Sequence, residues 1–146
     1  MKEIQVYTDG ACSGNPGLGG WGAILKYNGH KKELSGFNES TTNNRMELSA
    51  VIHALKAVKE PCKITIFSDS QYFCNGITKG WAEKWQANGW IKSDKKPAIN
   101  SDLWAEILEL LKPHEVDIVW VKGHAGHPEN ERCDALATAE IAKAKR

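Results

Sequence analysis

The sequence predicts an α/β fold: a mixed five-stranded sheet whose first three strands run antiparallel, flanked by about four to five helices. Three observations carry that expectation. Residues 3 to 9 alternate, Ile4 and Val6 on one face and Gln5 and Tyr7 on the other, the period of a half-buried strand. Asn28-Gly29 joins two strand-like runs, and this dipeptide is the strongest short-range sign of a hairpin. From Asn44 the period changes, and Leu48, Val51, Ile52 and Leu55 recur at the spacing of an amphipathic helix.

The elements follow in order. The first strand closes at Asp9, and Trp21 to Tyr27 and Lys31 to Phe37 are the arms of the hairpin. The helix beginning near Asn44 runs toward Pro61, which helps to end it. Lys63 to Ser68 alternates again, and Asp69-Ser70 reads as the cap of a short helix. Trp81 and Trp85, four residues apart, share one face of a further helix. Leu103, Ile107, Leu110 and Leu111 mark another, stopped at Pro113, and Val116 to Val121 is a β-branched strand. The last helix starts near Pro128, a favoured first helical residue, and runs to the basic tail. In open sheets of this kind, sites lie outside the carboxyl ends of the parallel strands. Asp9 and Asp69 occupy those ends.

At 146 residues the chain fits one domain, 1–146. Its 41% hydrophobic and 25% charged residues are ordinary for a soluble globular protein, and no apolar run approaches the ~20 residues of a membrane span. The opening Met-Lys-Glu-Ile-Gln-Val reads as a strand rather than a secretory signal, so a cytoplasmic protein is expected, with a monomer as the default. Cys12, Cys62, Cys74 and Cys133 form no Cys-x-x-Cys pair and read as reduced thiols. A net charge of +1 excludes a wholly basic nucleic-acid coat, so any such surface is local.

Four acids, Asp9, Glu47, Asp69 and Asp134, stand where elements start or end. Each has a plain structural explanation when taken alone. Asp9 could shape a turn with Gly10, Asp69 could cap a helix, and Glu47 could complete a capping box with Asn44. Glu47 nevertheless aligns with Val51 and Ala54 beside the buried stripe, and Asp134 lies on the line of Ala137 and Ile141, where a lone carboxylate is costly. If the four converge, two carboxylates about 4 Å apart repel by roughly 4 kcal/mol at an effective dielectric near 20. Bound cations relieve that repulsion, and an all-oxygen set selects Mg²⁺ or Mn²⁺. Two such ions, bridged and flanked by carboxylates, are suited to hydrolysing a phosphodiester.

Gly17-Leu18-Gly19-Gly20-Trp21-Gly22 fits G-x-G-x-x-G, but it leads into a strand, so the helix N-terminus that would hold a pyrophosphate is missing. Thr41-Thr42-Asn43-Asn44 precedes Glu47 at a helix N-terminus, where exposed amides favour phosphate; simple capping is the competing account. Asn15 and Gln71 follow the strands that carry Asp9 and Asp69 and could join that group. Lys79 to Lys96 holds five lysines against Glu83 and Asp94, a balance of +3, together with Trp81, Trp85 and Trp90. Packing onto the body would explain the tryptophans; a protruding arm that lays aromatic faces on sugars or bases and lysines on phosphates is the functional account. His124, between glycines in Gly123-His124-Ala125-Gly126, is placed to shuttle a proton.

Together, Tyr7-Thr8-Asp9-Gly10-Ala11-Cys12-Ser13-Gly14-Asn15-Pro16-Gly17, Thr42-Asn43-Asn44-Arg45-Met46-Glu47-Leu48, Thr65-Ile66-Phe67-Ser68-Asp69-Ser70-Gln71-Tyr72 and Val121-Lys122-Gly123-His124 through Asp134 resemble the signature stretches of the type 1 bacterial ribonuclease H family, and the likeness covers nearly the whole chain. The resemblance implies hydrolysis of the RNA strand of an RNA/DNA hybrid, leaving 5′-phosphate and 3′-hydroxyl ends. By the same resemblance Asp9 bridges two Mg²⁺ ions, for which Mn²⁺ can substitute. Asp134 shares the ion that activates water, and Glu47 and Asp69 hold the other. Cys12, Asn15, Asn43, Asn44 and Gln71 match positions that meet the minor groove of the hybrid, where 2′-hydroxyls distinguish RNA from DNA. Thr42 matches a DNA-phosphate contact, and Trp81, Trp85, Lys95 and Lys96 belong to the family's basic protrusion. Two departures bear on affinity: Gln86-Ala87-Asn88 replaces more basic residues, and Lys84 stands where many relatives have asparagine. A binding module that has lost turnover would usually lack one acid, and this chain lacks none. A DNA-directed nuclease of the same fold is the other alternative, and the residues matched to 2′-hydroxyl contacts argue against it.

Overall fold

In a computed structural model, which describes residues 1–122 and 127–145, five strands form one sheet in the order β3-β2-β1-β4-β5. The strands are β1 (Lys2–Gly14), β2 (Gly17–Tyr27), β3 (His30–Thr41), β4 (Cys62–Ser68) and β5 (Glu115–Trp120). The helices are α1 (Asn43–Lys56), α2 (Gln71–Thr78), α3 (Trp81–Ala87), α4 (Ser101–Leu111) and α5 (Pro128–Ala144). β1, β2 and β3 pair antiparallel, while β4 pairs parallel with both β1 and β5. The mixed sheet with an antiparallel opening is therefore as the sequence predicts, and so is the hairpin at Asn28-Gly29, where both residues take positive φ.

Side-chain alternation divides the core between the two faces of the sheet. Val6, Trp21 and Ala23 pack with the α1 residues Leu48, Val51, Ile52 and Leu55 and with Trp104 and Ile107 of α4. Tyr7 and Ile24 face the other way, onto Cys133 of α5. On that second face the sheet approaches α5 very closely. A Cβ at Gly20 or Gly22 would run into the backbone carbonyls of Ala137 or Cys133.

Those contacts explain why the first two strands are longer than expected. Asp9 does not end β1; the strand continues to Gly14, and Gly10 to Gly14 pair with Trp21 back to Gly17. This stretch lacks an apolar alternation because α5 and α1 lie where side chains would be. The G-x-G-x-x-G pattern is thus part of β2 itself. Asp9 nevertheless lies one residue past Thr8↔Ser68, the last β1–β4 pair, so it stands at the carboxyl edge of the parallel part of the sheet, as does Asp69 beyond β4.

One helix boundary also differs, while the cap expected at Asp69-Ser70 is present. α1 stops at Lys56, well before Pro61, and its N-cap is Thr42, whose hydroxyl accepts from the Arg45 N–H. The cap of α2 is Ser70, whose Oγ accepts from the Phe73 N–H at 3.1 Å, which frees Asp69 from that duty. All four cysteines are free thiols, and among the described residues no helix is long and apolar enough to cross a membrane.

Candidate active site

Asp9, Glu47 and Asp69 converge. One carboxylate oxygen from each lies within 4.8 Å of the others. Three elements deliver them: the middle of β1, the first turns of α1, and the step from β4 into α2. Gly10 makes the meeting possible, because a Cβ there would collide with the Glu47 backbone nitrogen and with Met46. Only glycine lets α1 lie directly on β1 beside Asp9. At β4, the Ser70 N–H donates to Ser68 Oγ at 3.1 Å and the exposed Trp120 indole N–H donates to the Asp69 carbonyl at 3.2 Å. Both bonds hold the chain where it turns out of the sheet.

Burial sets the electrostatics of the cluster. Asp9 is 3% and Glu47 6% exposed. The Asp9 carboxyl is pushed up to about 8, first by burial and next by the nearby charge of Asp69, with Asp134 adding to the effect; a hydrogen bond with Glu47 opposes it. Glu47 is held well above its ordinary range, again by burial first and then by Asp9 and Asp69. Its Oε1 is buried with no hydrogen-bond partner among the described residues. Neither group suits a capping role: Glu47 forms no box with Asn44, and Asp9 sits inside a strand.

The cluster opens into a polar cleft of about 360 Å³, lined also by Asp134, Asn43, Asn44 and Gln71. Asp134 reaches it from the second turn of α5, so all four predicted acids border one space. Asn15 Oδ1 accepts from the Asn43 N–H at 3.4 Å, which sets it at the rim, and the half-buried Cys12 thiol donates to the Thr41 carbonyl at 3.4 Å. A larger cavity, about 510 Å³, lies at the opposite pole between the β2–β3 hairpin and the end of α1. It has an apolar floor and a lysine rim but no acid cluster.

The tryptophan and lysine segment stands apart from the cleft. Trp81 is 37% exposed on α3 with Lys79 Nζ 5.4 Å from its ring centre, whereas Trp85 turns inward, edge-on to Trp104 with ring centres 6.3 Å apart. Packing and exposure thus divide between the two rings. Lys95 and Lys96 are exposed on a tight turn, with Lys95 at φ 68°. His124 lies outside the described residues. Sequence reading passed over Gly10, taken only as a turn partner of Asp9, and Arg45, whose guanidinium forks onto Asp102 at 2.8 and 3.1 Å. For Gly10 the signal was present: a glycine beside a strand acid marks a close approach of another backbone.

The donor set fits hard divalent cations. It consists only of carboxylate oxygens, and two of the acids are shifted toward their protonated forms by mutual repulsion and burial, a penalty that a bound cation would offset.

Comparison with known proteins agrees with this geometry. The family model described as RNase H matches residues 1–142. A Ribonuclease H of Desulforamulus reducens is 60% identical over 139 residues, covering 95% of this chain and 87% of the relative. One from Caldanaerobacter subterraneus subsp. tengcongensis is 59% identical over 140 residues, covering 96% and 92%. Among solved structures, LC9-RNase H1, a type 1 RNase H with the type 2 active-site motif, superposes with a TM-score of 0.86 at 31% identity, covering 97% of this chain and 73% of that one. LC11-RNase H1, solved in complex with an RNA/DNA hybrid, superposes with a TM-score of 0.71 at 26% identity, covering 98% and 99%. With a carboxylate cleft at the carboxyl edge of such a sheet and a family match across nearly its whole length, the chain belongs to the ribonuclease H family.

Proposed function

We propose that the chain is an endoribonuclease that hydrolyses the RNA strand of an RNA/DNA hybrid, leaving 5′-phosphate and 3′-hydroxyl ends, with two Mg²⁺ ions held by Asp9, Glu47, Asp69 and Asp134. The observation that carries this reading is the convergence of three carboxylates within 4.8 Å, two of them buried, in a cleft that Asp134 completes. Ions bound there would acidify the attacking water and offset charge on the leaving oxygen, and Mn²⁺ could replace Mg²⁺.

The protein's own groups account for the rest. A bound cation would favour the ionised forms of Asp9 and Glu47, which burial and the neighbouring carboxylates disfavour. Asn43, Asn44 and Gln71 line the cleft, with Asn15 and Cys12 at its rim, and present small hydrogen-bonding groups to a shallow groove bearing 2′-hydroxyls. Thr42, at the N-cap of α1, meets a DNA phosphate with help from the helix N-terminus. Trp81, seated by the inward-packed Trp85, holds the hybrid's far side with Lys95 and Lys96. His124 carries a proton to or from the reacting phosphate. The chain, 1–146, is read as one catalytic domain working as a monomer in the cytoplasm; for the compartment alone, the four free cysteines, which suit a reducing setting, are the support.

A substrate panel tests the reading. Labelled hybrid, duplex DNA, duplex RNA and single-stranded RNA are incubated with the protein, with and without Mg²⁺. Cleavage of the hybrid's RNA strand alone, and only with the ion, is expected. Equal cutting of duplex DNA would refute it.

A further inference from the structure

The tryptophan and lysine arm leaves the body after α2 and returns to it at Ile99 and Asn100, just before α4. One phenol sits at that return. Tyr72, three residues beyond Asp69, accepts from the Trp104 indole N–H at 2.9 Å and from Asn100 Nδ2 at 3.2 Å, and its own hydroxyl donates to the Ile99 carbonyl at 3.4 Å. That uses the full capacity of a phenol, two acceptances and one donation.

The amide of Asn100 is fixed from both ends. Its Oδ1 accepts from Arg45 Nη1 at 3.1 Å, and because arginine only donates, the amide orientation is settled. Arg45 is in turn forked onto Asp102 and lies two residues before Glu47. Asn100 is held at φ 63°, a left-handed conformation that asparagine tolerates better than most residues. Trp104 completes the joint. Fully buried, it stacks on Phe73 of α2 with ring centres 6.3 Å apart and meets Trp85 of the arm edge-on. A side chain at Gly76 would strike its ring, so Trp104 cannot shift toward α2.

We infer that Tyr72 is a positioning residue, its hydroxyl locking the root of the arm in register with the carboxylate cleft. The inference rests on the proposed substrate. A hybrid long enough to touch both cleft and arm then gains from the fixed spacing between them, because no binding energy goes into ordering the arm. Tyr72 also lines the cleft, and Tyr72→Phe keeps its ring there, so loss of the hydroxyl acts on substrate capture.

The test compares wild type with Tyr72→Phe on two hybrids in Mg²⁺, one of about two helical turns and one of about half a turn closed by a loop so that it stays paired, meant to occupy the cleft alone. For the long hybrid KM rises about fivefold, the worth of one neutral hydrogen bond, with kcat unchanged; for the short one neither constant moves. Asn100→Gly, which keeps the left-handed backbone but removes the amide, reproduces that pattern. An unchanged KM for the long hybrid, or an equal rise for both lengths, would overturn the inference while leaving the activity in place. Wild-type protein that does not cut hybrid at all would remove the substrate reading, and this inference with it.

Discussion

The Asp9 carboxyl shows how far one side chain departs from its sequence expectation. Beside Gly10 it reads as a turn former, yet it is buried in a strand, and its affinity for a proton rises from an ordinary 3.8 to about 8. The consequence for stability has a definite sign. The folded chain binds this proton more tightly than the unfolded one, so the contribution is fully present below about pH 4 and is lost as pH rises toward about 8. Ion-free protein should therefore lose stability between about pH 5 and 8, by up to ~1.4 kcal/mol per pH unit for this one proton. Asp9→Asn should flatten that slope. Urea unfolding at several pH values in chelator measures it, and identical slopes for the two proteins would refute the assigned cause.

At the scale of elements, legibility followed the physics of burial. Leu48, Val51, Ile52 and Leu55 announced α1 because one face of that helix is packed on the sheet and the other is wet. Residues 10 to 14 and 17 to 20 did not announce strands, since α1 and α5 lie so close above them that glycine replaces the alternating side chains. Thr42 and Ser70, rather than Asn44 and Asp69, took the capping bonds; several adjacent residues could cap, and the choice depends on where the chain leaves the sheet. The four acids were legible as candidates, but their convergence depends on the β1–β4 pairing and on Gly10. The arm carries its own prediction. Replacing Lys95 and Lys96 by Ala should weaken hybrid binding and flatten its dependence on salt by about 0.9 in log K per log [salt] for each lost phosphate contact, a value for B-DNA applied to the hybrid. A titration at several salt concentrations reads this directly, and an unchanged slope would place both lysines away from phosphate.

Over the whole molecule, charge is arranged rather than accumulated. A net charge of +1 conceals an acidic cleft at the carboxyl edge of the sheet and an arm segment with a balance of +3. A polyanion approaching the cleft alone would be repelled; cations bound at the carboxylates, together with lysines on the arm, would make it a site for a nucleic acid. The central claim is that the four carboxylates act through bound cations on a hybrid held by the rest of the surface. The most direct measurement is cleavage of a labelled hybrid by Asp9→Asn in Mg²⁺, with binding followed in parallel. Loss of the Asp9 carboxylate should remove several kcal/mol of transition-state stabilisation, so the rate is expected to fall by about three or more powers of ten while the hybrid still binds. Turnover close to wild type would contradict the account.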